Sequence, residues 1–138
     1  MKKRLLEKLE NARQYTLSVA NAMPADSYTY TPDAAIWSFN ELLHHIGYGI
    51  MWWNENYMLQ QQADWNPPTV TKDPAATKAY LSECFDALQQ SVEKATPDEK
   101  IIDGFYATLD HVTHHRGQAT VYLRCKGITP PDYSEYTY

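Results

Sequence analysis

Four stretches with an apolar period near that of the α-helix, separated by proline-rich breaks, constrain this chain more than any other feature. In the first, from about Lys2 to Met23, Leu5, Leu6, Leu9, Ala12, Thr16 and Val19 recur at spacings of three and four, which places them on one helical stripe. Pro24 and Pro32 bracket a non-helical connection in which Tyr28-Thr29-Tyr30-Thr31 reads as a short extended piece. The second helix starts near Ser38, an N-cap residue with Glu41 three positions on, as in a capping box. Its stripe runs through Phe39, Leu42, Leu43, Ile46, Ile50, Trp53 and Tyr57, and a loop follows Gln62. Asp73-Pro74 is an N-cap with proline at the first helical position, opening a third helix with Tyr80, Leu81, Cys84, Phe85, Leu88 and Val92 in phase. At Thr96-Pro97-Asp98-Glu99 a single turn is expected, interrupted by Gly104. The fourth helix then spans about Phe105 to Lys126 and is closed by Gly127, with Pro130 and Pro131 beyond. This layout predicts an all-α four-helix bundle forming one domain over residues 1–138.

Charge narrows the function classes. Twelve Lys and Arg against seventeen Asp and Glu give a net charge of −5, and the only basic run is Lys2-Lys3-Arg4. That balance argues against a nucleic-acid partner and against an anionic membrane surface, both of which need a positive face. No stretch approaches the length of apolar chain that spans a bilayer, and Glu7, Lys8, Glu10 and Arg13 stand where a signal peptide would be apolar. A cytoplasmic location is expected. The two cysteines, Cys84 and Cys125, lack the spacing of a disulfide framework and read as reduced thiols, Cys84 in the core. Eleven Tyr and four Trp outnumber three Phe, and such amphipathic rings suit the walls of a pocket as well as a core.

All five histidines fall in two clusters, His44-His45 in the second helix and His111, His114 and His115 in the fourth. Residues four apart share a helical face, so His111 and His115 can address one atom while His114 cannot easily join them. Winding at about 100° per residue puts His111, His115, Gln118 and Tyr122 in a sector roughly 100° from the apolar stripe of Phe105, Leu109, Val112, Ala119 and Leu123. The histidine row therefore borders the core, as a pocket lining does. In the second helix His45 falls with Ser38, Glu41, Trp52 and Asn56 beside the apolar stripe, and His44 turns toward solvent. Gly49, one turn after His45, leaves room next to the imidazole.

Three neutral imidazoles suit a divalent transition metal, Zn or Ni first, with Fe or Co as alternatives. A structural zinc site is closed by four protein ligands; three leave a position for water or substrate. Two other readings stand beside this one, a hydrogen-bonded histidine at the core border and an accidental HxxxH pair. Glu41 and Gln118, phased with the ligands, are candidates for orienting a histidine or assisting proton transfer. Trp52 and Tyr122 are pocket-wall candidates that can equally be packing. Arg116 falls inside the apolar sector, where it either pairs with Asp103, Asp110 or Glu41 or holds an anionic substrate.

Two runs carry a family resemblance. Trp37-Ser38-Phe39-Asn40-Glu41-Leu42-Leu43-His44-His45-Ile46 and His111-Val112-Thr113-His114-His115-Arg116-Gly117-Gln118 resemble the Trp-Ser and HxxxHRGQ signatures of the DinB/YfiT-like superfamily of metal-binding four-helix proteins. The continuation Tyr122-Leu123-Arg124 and Gly127 to Pro131 fits the same family's ending. The resemblance implies that His45, His111 and His115 are the ligands, with His44 and His114 as neighbours, and that the protein is a homodimer. It divides on activity: some members are thiol-dependent transferases, including mycothiol-dependent isomerases and bacillithiol transferases, and others are assigned as hydrolases. Either branch implies a small-molecule substrate, and the first a low-molecular-weight thiol as cofactor. A non-catalytic metal- or small-ligand-binding module linked to stress is the alternative, and a metal-free helical interaction domain a third.

Overall fold

The computed structural model describes residues 1–136. The last two residues of the expected 1–138 domain lie outside the described residues. Four helices dominate: α1 (Lys2–Ala22), α2 (Phe39–Trp53), α3 (Pro74–Lys94) and α4 (Glu99–Cys125). Short 3₁₀ turns occupy Ala25–Ser27 and Tyr133–Tyr136, and a π-helical turn, Asn54–Met58, extends α2. No strand is found among the described residues.

The predicted starts of α2 and α3 are made by the expected side chains. The Ser38 hydroxyl accepts from the Glu41 amide at 3.2 Å and donates to the Glu41 carboxylate at the same distance, while the Asp73 carboxylate accepts from Ala75 N at 3.1 Å. Asp98 caps α4 by accepting from Ile101 N at 2.8 Å. The end of α4 is a Schellman turn: Gly127, with φ of +73°, places its N–H on Arg124 O, and the Ile128 N–H reaches Leu123 O, both at 2.9 Å. The Tyr28–Thr31 run is not an extended strand. Its carbonyls, Tyr28 O and Tyr30 O, instead accept the otherwise unpaired amides of Asn40 and Phe39 in the first turn of α2, each at 2.9 Å.

Two boundaries differ from the sequence reading. α4 runs without a break from Glu99, because Gly104 is not a stop: it is buried, and a Cβ there would stand 2.4 Å from Cβ of Tyr57. The lack of a side chain serves a close approach between α4 and the π turn. α2, for its part, does not continue regularly to Gln62. It loosens into the π turn, which closes through a Leu59 N–H to Asn54 O bond of 2.9 Å, and Gln60 then leaves with φ of +54°.

In the packing, α1 and α2 each lie against both α3 and α4, so that α2 and α4 are neighbours. The shared core is built from Leu5, Leu9 and Val19 of α1, Phe39, Leu43 and Ile46 of α2, Leu81, Phe85 and Leu88 of α3, and Phe105, Val112 and Leu123 of α4. Burial of such stripes, at about 25 cal/mol per Å² of apolar surface, is what holds four individually marginal helices together. Cys84 is buried in this core, and its thiol is pushed up to about 12 by desolvation; Cys125 is exposed, and neither is in a disulfide. No described helix is long and apolar enough to cross a membrane.

Candidate metal centre

The seam between α2 and α4 brings the three predicted histidines together. His45 Nε2 lies 3.0 Å from His115 Nε2 and 3.1 Å from His111 Nε2, and one ligand atom from each ring falls within 4.8 Å of the others. Two donors bound at about 2.0 to 2.1 Å around a tetrahedral ion stand about 3.3 Å apart, so the two separations from His45 need adjustments of a few tenths of an ångström. His114, as expected, is exposed and takes no part.

The electrostatics favour neutral, donor-competent rings. Desolvation, reinforced by neighbouring histidines, lowers the pKa of His45 and of His111 to about 4. His115 is lowered too, chiefly by desolvation, against a raising hydrogen bond from Gln118. His111 Nδ1 is buried without a hydrogen-bond partner among the described residues, so whatever favours this ring must act through Nε2, the atom that meets the other two. These observations fit a resident transition metal held by His45, His111 and His115.

One consequence concerns acidity. The native pKa values of His45 and His111 lie below the 6.5 of an ordinary imidazole, so between about pH 6.5 and about pH 4 the unfolded chain binds more protons than the native one. Metal-stripped protein is expected to lose stability as pH falls through that window. Thermal denaturation at a series of pH values checks this, and a flat Tm from pH 7 to pH 4.5 contradicts it.

Gln118 turns its amide oxygen to His115 Nδ1 at 2.9 Å. An acceptor there places the ring proton on Nδ1 and leaves Nε2 with its lone pair toward the cluster. Glu41 is engaged elsewhere: its carboxylate takes the Ser38 hydroxyl at the start of α2. Gly49 makes the room that the sequence suggested, but the ring that fills it is His111. A Cβ on Gly49 would stand 2.1 Å from His111 Cε1.

Other expectations are displaced. His44 is not turned to solvent but buried, its ring stacked on Tyr80 of α3 at 4.9 Å. Arg116 makes no ion pair with Asp103, Asp110 or Glu41; it faces α1, bonding Thr16 Oγ1 at 3.3 Å and lying 4.8 Å from the Tyr15 ring centre. Trp52 packs edge-on against Trp65, with ring centres 5.7 Å apart. Tyr122 lines a cavity of about 520 Å³ that opens beside His115 and Gln118 between α4 and the Pro32–Trp37 loop.

Two residues to which the sequence reading gave no role frame His45. Trp37 lies 4.4 Å from its ring and Trp65 5.6 Å from it, centre to centre. Each is tied down by a tyrosine: the Tyr122 hydroxyl donates to Trp37 O at 2.7 Å, and the Tyr48 hydroxyl accepts from Asn66 N at 2.6 Å. A tryptophan set among polar and proline residues, as Trp65 is in Asp64-Trp65-Asn66-Pro67, is the signal that was available.

A helical bundle with three histidines converging between its second and fourth helices defines a class of candidate metal-binding bundles. The comparisons give that class its family: the profile of the DinB superfamily matches residues 8–119, and that of the DinB family matches residues 106–138. The chain belongs to the DinB superfamily. Its fold is similar to the crystal structure of a DinB-like protein from Bacillus cereus, with a TM-score of 0.79 over 93% of this chain and 94% of that one at 16% identity. No curated protein matches the sequence.

Proposed function

We propose that this protein is a metal-dependent enzyme acting on a small molecule, with His45, His111 and His115 holding one divalent ion, zinc or nickel, and a coordination position left for thiol or water. The single observation that supports this most is the meeting of three Nε2 atoms from two helices, with no fourth Cys, His, Asp or Glu completing the group among the described residues. Such an ion, when bound, supplies Lewis acidity that lowers the pKa of a thiol or of water, the shared requirement of thiol transfer and of hydrolysis.

The protein's own groups prepare the site. Gln118 fixes the His115 tautomer, and Trp37 and Trp65 shield His45 from bulk water, which strengthens electrostatic interactions inside the cluster. Tyr122, whose pKa is raised by desolvation, keeps its proton and uses it to anchor the Trp37 loop. The cavity against Trp37, Val121 and Tyr122 is the place for the substrate's apolar part. Glu41 is proposed only as a cap that sets where α2 begins, and thereby where His45 points. We further propose a homodimer in the cytoplasm.

Elemental analysis of tag-free protein should find one transition metal per chain. With that metal loaded, a small thiol and chlorodinitrobenzene should give thiol-dependent turnover that His111→Ala abolishes. Stoichiometric metal without turnover, with any thiol or in hydrolysis assays, would favour the binding-module reading instead. Replacing Gln118 with Leu is expected to weaken metal binding by about 10- to 100-fold while leaving Tm of the metal-free protein unchanged. Competition with a chromogenic chelator reads this directly, and an unaltered affinity rules out the tautomer role.

A further inference from the structure

The face of α4 turned away from the histidines carries a second set of chemistry-bearing groups. Thr113, Arg116, Gly117, Thr120 and Arg124 share it, and at about 100° per residue they centre roughly 180° from His111, His115, Gln118 and Tyr122. They form one wall of a cavity of about 640 Å³, completed by Tyr15 of α1 and by the chain returning from Thr129 to Tyr133. That is larger than the cavity beside the histidines and is the size of a small-molecule site.

Arg116 is the unusual member. It is 6% exposed, yet no carboxylate pairs with it among the described residues. Its Nη1 group is held by Ala12 O at 3.5 Å and Thr16 Oγ1 at 3.3 Å, and its carbon centre lies 4.8 and 5.8 Å from the rings of Tyr15 and Tyr133. Neutral oxygens and ring faces offset part of the desolvation of a guanidinium, but they leave its Nε–H and Nη2–H donors without a described protein acceptor. Arg124 starts about 12 Å further along the same wall, close enough for two long side chains to close on one group. The single carboxylate in the lining, Asp132, is already engaged by Ser134 N and Oγ at 2.9 and 2.8 Å. In a chain of net charge −5 the lining is thus locally cationic.

We propose that this cavity is a second ligand site, separate from the histidine cluster, for a small molecule bearing an oxyanion on a flat apolar body. The oxyanion, carboxylate or phosphate, sits on Arg116 and Arg124 with the Thr113 hydroxyl as a further donor, since planar forked donors match both groups. The body lies against Pro131 and the Tyr133 ring.

Titrations of isotope-labelled protein with inorganic phosphate, phenyl phosphate and benzoate, followed at the arginine Nε–H resonances, test it. A saturable shift of the Arg116 signal with phenyl phosphate or benzoate is expected, and the stronger of the two identifies the oxyanion. Inorganic phosphate should bind about tenfold more weakly than the better organic probe. Arg124→Gln, at an exposed position, should weaken binding by about tenfold with Tm unchanged, and Arg116→Lys should abolish it. No saturable shift with any probe overturns the proposal, as does equal affinity for inorganic phosphate, or unchanged affinity in both variants. Metal-stripped protein should bind equally well, so failure here leaves the reading of the histidine cluster untouched.

Discussion

Gly49→Ala is expected to abolish tight metal binding by the three histidines while leaving the bundle folded. On helix propensity alone the substitution stabilises α2 by about 1 kcal/mol. Against that stands the geometry, in which the new Cβ falls 2.1 Å from His111 Cε1 and 2.5 Å from Nδ1. Contacts this short do not persist, so the imidazole must turn away, and the cluster keeps two ligands of three. The expected loss of metal affinity exceeds about 100-fold, beyond the 10- to 100-fold typical of a lost outer partner. The double variant Gly49→Ala with His111→Ala removes the collision, and its thermal stability should recover to that of His111→Ala or slightly above it. If Gly49→Ala retains stoichiometric metal at parental affinity, the packing of His111 against α2 is not what positions the ligand.

Gly104→Ala acts on the scaffold instead. Its Cβ would meet Tyr57 Cβ at 2.4 Å and Cγ at 2.7 Å, near the root of a side chain that cannot swing aside without moving the π turn. Overpacking of this kind costs about 1 to 3 kcal/mol, and the start of a side chain as the obstacle puts this case at the upper end. The propensity gain of about 1 kcal/mol offsets only part of it. A fall in Tm of roughly 5 to 10 °C is therefore expected, and differential scanning calorimetry reads it. An increase in Tm would mean that α4 and the π turn separate easily.

Those two glycines also show what the sequence made legible and what it hid. Helical phase is local, so it placed His45, His111 and His115 on facing rows and set Gln118 with them. The caps at Ser38 and Asp73 are equally local, and both are formed, while Asp98 caps a full helix where a single turn was expected. What failed depended on a partner distant in the chain. Gly104 looked like a break because the reason for it, Tyr57, lies 47 positions earlier. His44 looked solvent-facing because phase within α2 does not reveal that α3 covers that side with Tyr80. Of the two readings of Arg116, pairing with a carboxylate or holding an anion, the first is not formed, because its neighbours are rings and neutral oxygens on α1 and the returning chain. Trp65 offered no period at all, since its place over His45 is set by Tyr48 gripping the loop at Asn66.

The cluster joins points far apart along the polypeptide: His45 and His115 are 70 residues distant. An ion held there would act as a reversible crosslink, fastening the ends of a loop that encloses about half the chain and so restricting the unfolded ensemble much as a covalent bridge does. Loading the ion would therefore stabilise the fold in step with the logarithm of its free concentration.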